Sequence, residues 1–154
     1  MKFDKIILLG AAILAASPLT LEAKSRKGKG DVTVAVFSLN DFHGGFVRND
    51  YKNIPGAPAV WQTLDSLKSV YPYNVTVAAG DNFGGSFFYA ATKGVLLPVF
   101  YNDLGIRLSA LGNHEFDFGI DNMVRIFKMA KFPIVCANYD FTGTELASIV
   151  KPYV

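Results

Sequence analysis

The sequence predicts an α/β fold built from βαβ units, with polar residues collected where the strands end. Three observations carry that reading. Short runs rich in β-branched and aromatic residues alternate with amphipathic segments from residue 32 onward. The first three apolar runs each stop at a cluster of Asp, Asn or His flanked by glycine. The composition, 51% hydrophobic and 14% aromatic over 154 residues, gives a single domain enough apolar anchors and excludes a disordered chain.

Each element follows from its local pattern. Residues 32–40 (VTVAVFSLN) read as a strand. Residues 53–58 (NIPGAP) form a loop, and 59–70 a helix with Val60, Trp61, Leu64, Leu67 and Val70 on one face. Tyr71 ends that helix, because the residue before Pro72 disfavours helical angles. Residues 75–79 are a second strand, and 86–102 a helix in two pieces interrupted near Gly94 and Pro98. A third strand spans 106–111. Ile120, Met123, Val124, Phe127 and Ala130 then mark another amphipathic helix. Residues 133–137 make a fourth strand, and 148–154 read as a fifth.

The first residues have a different character. Lys2 and Lys5 precede residues 6–16, which carry no charge; Pro18 breaks the run and Ala23 is a small residue suited to cleavage. Residues 1–23 thus fit a secretory signal peptide, too short for a comfortable membrane span, and predict an exported protein, whether periplasmic, cell-surface or extracellular. An uncleaved amphipathic or buried segment is the alternative. Residues 24–30 form a basic leader holding Lys24, Arg26, Lys27 and Lys29, read as solvated. Beyond it acidic residues outnumber basic ones by two, and the net charge of +2 gives nucleic-acid binding no support. Cys136 is the only cysteine, so no intrachain disulfide forms; its apolar surroundings read as core. Asn74-Val75-Thr76 matches the glycosylation pattern by chance, since it falls inside a strand.

Chemistry concentrates at the strand ends. The first strand runs into Asn40-Asp41-Phe42-His43-Gly44, the second into Gly80-Asp81-Asn82, the third into Gly112-Asn113-His114-Glu115-Phe116-Asp117. In a parallel sheet these residues converge beyond the carboxyl ends of the strands, where such folds bind ligands. Carboxylate, imidazole and amide oxygen suit divalent ions such as Mn²⁺, Zn²⁺ or Fe²⁺. Individually, Asp41 and Asp81 could serve turns and Asn113 could cap a helix. Jointly, with both histidines of the chain among them, they read as a metal centre.

The wording LNDFHGG at 39–45, GDNFGGS at 80–86 and GNHEFDFG at 112–119 resembles the calcineurin-like metallophosphoesterases, specifically the secreted 5′-nucleotidase / 2′,3′-cyclic phosphodiesterase branch. The resemblance covers residues 32 to about 139. It implies that residues 31–154 are the N-terminal, incomplete part of a metallophosphoesterase domain, an αββα sandwich with metal ligands at strand C-terminal ends. It implies a phosphoester hydrolase releasing phosphate from nucleotides by two-metal activation of water. The cofactors would be two divalent ions (Mn, Zn, Fe, Co, Mg or Ca). Asp41 and His43 would hold the first, Asp81 would bridge, and Asn113 would bind the second and touch the substrate phosphate. His114 would contact the phosphate and act as transition-state stabiliser or acid, supported by Asp117. Glu115 would brace the structure or the ligands instead of binding metal.

The chain departs from that pattern in having no histidine after His114, which leaves Asp81 and Asn113 alone for a second ion. The expectation is a piece inactive by itself, with no stable membrane span once the leader is cut. A related hydrolase of nucleotide-sugars, cyclic nucleotides or sulfur esters is the second reading. A truncated, non-catalytic metal- or partner-binding protein is the third.

Overall fold

The computed structural model describes residues 6–12 and 32–153. Six strands form one sheet: β1 (Ile6–Ala12), β2 (Val34–Asn40), β3 (Asn74–Ala78), β4 (Ser109–Ala110), β5 (Ile134–Val135) and β6 (Val150–Lys151). All neighbours pair in parallel, and spatial order equals chain order. The connections carry α1 (Ala57–Val70), α2 (Phe87–Thr92), α3 (Leu96–Leu104), α4 (Gly119–Phe127) and α5 (Leu146–Ile149).

A sheet whose strands follow one another in order, joined by right-handed crossovers, places every helix on the same face. The register bears this out. Leu39, Ala78, Ser109, Ile134 and Val150 are matched residue to residue across five strands, and all five are buried. They share one core with Val60 and Leu64 of α1, Tyr101 and Leu104 of α3, Met123, Ile126 and Phe127 of α4 and Leu146 of α5. The opposite face, carrying Val36, Val75, Val77, Ala110 and Val135, is only half-buried. The described residues therefore form one sheet and one helical layer of the sandwich that the resemblance implies.

The structure corrects the sequence reading in four places. The tail 148–154 is not one strand: Ser148 and Ile149 close α5, and only Val150 and Lys151 pair. A single helical turn is too short to show a period in the sequence, and Ser148 Oγ bonds back to the Glu145 carbonyl. The interruption between α2 and α3 lies at Lys93 and Gly94, both left-handed, whereas Pro98 sits in the first turn of α3, where no N–H is needed. Trp61 and Val70 are 43% and 67% exposed, because the sheet covers only the narrower stripe of Val60 and Leu64. The third and fourth strands pair over two residues each. Bonds such as Arg107 N–H to the Thr76 carbonyl extend the contact beyond them.

Asn74 bonds the Tyr71 carbonyl and Thr76 is buried within β3, as expected of a chance glycosylation match. Cys136 follows β5 and packs partly against the core. Of the expected leader 1–23, only Ile6–Ala12 lies within the described residues, as the strand parallel to β2. There it supplies hydrogen-bond partners to what would otherwise be an open edge. The basic stretch 24–30 lies outside the described residues.

Candidate metal centre

The loops after β2 and β3 continue the pairing that the strands begin. Asp41 N–H bonds the Gly80 carbonyl (3.1 Å), His43 N–H the Asp81 carbonyl (3.2 Å) and Gly44 N–H the Asn82 carbonyl (3.0 Å). This zipper brings Asp41, His43 and Asp81 together, each offering one ligand atom within 4.8 Å of the others. The backbone needed to do so is unusual. Asp41 (φ 52°), His43 (φ 47°) and Asp81 (φ 49°) all lie in the left-handed region. Asp and His enter that region more readily than bulky residues, and non-glycine residues held there cluster at functional sites.

The side chains are aimed by their other contacts. His43 Nδ1 donates to the Phe83 carbonyl at 3.1 Å, since a carbonyl can only accept. Nε2 is then the free lone pair, and it lies 3.6 Å from Asp41 Oδ1. Donation of the far ring nitrogen to a carbonyl is how metal-binding imidazoles are fixed. Asn40 Nδ2 donates to Asp41 Oδ2 (2.7 Å), leaving Oδ1 toward His43. Two carboxylates and one imidazole, oriented in this way, fit a divalent cation.

The loop after β4 completes the edge. His114 N–H donates to Asp81 Oδ1 at 3.0 Å, and the His114 ring meets His43 edge-on with centroids 4.9 Å apart. Asp117 takes His114 Nδ1 at 3.1 Å, which leaves Nε2 open. The hydrogen bond to Asp117 raises the His114 pKa above 6.5, with the charges of Asp117, Asp81 and Glu115 acting in the same direction and partial burial opposing them. Because the folded value is the higher one, the pair's contribution to stability is full below the unfolded pKa. It is lost as pH rises through the folded pKa. Asp117→Asn is expected to bring the His114 pKa down toward 6.5 in an NMR titration of the ring; an unchanged value would show that Asp117 is not the cause. Asn113 is exposed at the head of this turn, and its side chain does not cap it.

Close approach is secured by absent side chains. A Cβ at Gly84 would sit 3.0 Å from Asp117 Oδ2 and 3.1 Å from His114 Nδ1, and one at Gly85 2.9 Å from His43 Cβ. The pass through 82–86 therefore runs close against both histidines, Gly84 beside His114 and Gly85 beside His43. Sequence reasoning missed Asn40 and the Phe83 carbonyl as orienting groups. Adjacency of Asn40 to Asp41 was visible, but a backbone acceptor forty residues from His43 leaves no mark in a sequence.

No protein-family model matches the chain. It is 30% identical to 5′-nucleotidase of Homo sapiens over 102 residues, 64% of this chain and 18% of that protein. It is 31% identical to the 2′,3′-cyclic-nucleotide 2′-phosphodiesterase/3′-nucleotidase of Haemophilus influenzae over 158 residues, 92% of this chain and 24% of that protein. A solved 5′-nucleotidase precursor from Thermus thermophilus superposes with a TM-score of 0.69 at 27% identity, covering 77% of this chain and 25% of the other. The chain thus spans about a quarter or less of the length of these relatives. In sequence and in fold, the described part of the chain matches the N-terminal metallophosphoesterase domain of 5′-nucleotidases and related calcineurin-like phosphoesterases.

Proposed function

We propose that the chain is the metal-binding part of an exported phosphoester hydrolase that releases phosphate from nucleotides. The observation that carries this is the trio Asp41, His43 and Asp81 on one sheet edge, with His114 against it. Bound divalent ions neutralise charge on phosphoryl oxygens and acidify water. Asp41 and His43 would hold the first ion with Asp81, and Asp81 and Asn113 are the donors this chain would offer a second. Asn113, exposed at the head of the turn that carries His114, binds the substrate phosphate through its amide. His114 meets the same phosphate through Nε2, which holds a proton for the leaving oxygen while Asp117 keeps Nδ1 occupied. With only two donors for a second ion, the 154 residues alone hold one ion and turn over no nucleotide. Export rests on the uncharged run 6–16; cleavage after Ala23 would uncover the β2 edge that Ile6–Ala12 occupies.

Coupling between metal and phosphate tests the reading. Mn²⁺ titrated into the chain is expected to bind about 5-fold or more tightly in the presence of AMP, and no more tightly in the presence of adenosine. Absence of Mn²⁺ binding, or equal effects of AMP and adenosine, would overturn it.

A further inference from the structure

Glu115 is the acidic residue of the third motif that faces neither solvent nor the trio. It is 3% exposed, and its carboxylate accepts three backbone N–H groups from two separate loops. Oε2 takes Asp81 N–H at 3.1 Å and Gly112 N–H at 2.7 Å; Oε1 takes Asn82 N–H at 2.8 Å. The donors lie just beyond β3 and just beyond β4, so one side chain ties the ends of both strands. Asn82 is held from its other side as well, where the buried Tyr101 hydroxyl donates to Asn82 Oδ1 at 2.6 Å.

What Glu115 grips is the peptide of a left-handed aspartate. Asp81, at φ 49°, cannot pair its N–H within a regular ladder, and the orientation of its peptide sets where its carboxylate points. One carboxylate oxygen is taken by His114 N–H, from the turn that Glu115 itself belongs to. Glu115 and Asp81 therefore hold each other's loops: the Glu115 carboxylate fixes the Asp81 backbone, and the Asp81 carboxylate fixes the His114 backbone. We propose that Glu115 is a positioning residue that sets the direction of the Asp81 carboxylate, and with it the affinity of the centre for a divalent ion. This rests on the metal-centre reading above. A carboxylate is required because all three partners are donors; the amide nitrogen of glutamine would face at least one of them with a donor.

The test uses Glu115→Gln in the full chain, with Leu64→Ala, a core truncation in α1 outside the loops, as a comparator of lowered stability. Mn²⁺ affinity from calorimetry is expected to fall about 10–100-fold in Glu115→Gln, and less than about twofold in Leu64→Ala. Amide exchange in the metal-free chain is expected to accelerate at Asp81, Asn82 and Gly112 in Glu115→Gln alone. Equal Mn²⁺ affinity in Glu115→Gln and the parent, an equal loss in Leu64→Ala, or unchanged exchange at the three amides would overturn the proposal. If Glu115→Gln does not fold, Glu115→Asp keeps the charge but is too short to reach all three donors. It is expected to show an intermediate loss, and failure of both to fold would assign Glu115 to global stability instead. A parent chain that binds no Mn²⁺ would refute the metal-centre reading, while the exchange result would still decide whether Glu115 holds Asp81.

Discussion

Asp81→Asn is expected to separate stability from metal binding with opposite signs. Asparagine keeps an oxygen for the His114 N–H and tolerates the left-handed backbone nearly as well as aspartate, so the loop keeps its shape. The substitution removes one of two negative charges whose ligand atoms lie within 4.8 Å. Relief of that repulsion leaves the metal-free chain as stable or more so, by about 0.5–1 kcal/mol for charges near the surface. The Mn²⁺ affinity moves the other way. On the proposed reading Asp81 is a charged ligand of the ion, and its loss costs more than the roughly 10–100-fold that accompanies loss of a group merely bonded to a ligand. Thermal unfolding with and without Mn²⁺ reads both effects. The parent gains stability from the ion by mass action and the variant does not. A variant that unfolds earlier without metal, yet keeps its Mn²⁺-induced shift, would place Asp81 in the scaffold and not among the ligands.

Gly112→Ala is expected to be strongly damaging through crowding alone. Gly112 is not in a left-handed conformation, so the demand on it is space alone. An added Cβ would collide with the Asp81 carboxylate and lie 2.5 Å from the Asp81 nitrogen. The Gly112 nitrogen itself sits 2.6 Å from where a Cβ on Gly80 would fall, so the two loops run against each other backbone to backbone. Relief requires moving the peptide that Glu115 holds, and overpacking against backbone costs at the upper end of about 1–3 kcal/mol or beyond. Urea unfolding is expected to show that loss in midpoint, and Mn²⁺ binding is expected to fall with it. Gly119→Ala is the contrast, since a Cβ there meets nothing within 4 Å. Its cost is the left-handed φ of 76° alone, about 1–2 kcal/mol, with Mn²⁺ binding retained. Equal losses in both variants would remove the argument from close approach.

Much of the fold was legible without coordinates because strands and helices declare themselves through local periodicity. The runs at 32–40 and 75–79 became β2 and β3 with small changes at the ends, and the helix over 59–70 became α1. What failed was short or decided by neighbours. α5 is a four-residue turn whose helical bonds are too few to impose a pattern on the sequence, so Ser148 and Ile149 read as strand. Trp61 and Val70 carry the apolar spacing of a core face, yet the width of the sheet beneath α1 leaves them at the rim. The uncharged run 6–16 suits an export signal by composition, and of it Ile6–Ala12 pairs with β2 as β1.

The candidate site divides in the same way. Residue identity and placement after apolar runs were enough to single out Asp41, His43, Asp81, Asn113 and His114, because parallel strands deliver their carboxyl ends to a common edge; the part of Asp117 came from the resemblance. Which atoms face one another was not in the sequence. The free Nε2 of His43 depends on a carbonyl forty residues away, and the aim of Asp81 depends on Glu115 and His114, more than thirty residues on. Those choices rest on hydrogen bonds between loops distant in the chain. Local sequence specifies a residue's own preferences, whereas the partner of a buried N–H or carboxylate is settled only when the strand ends are brought side by side.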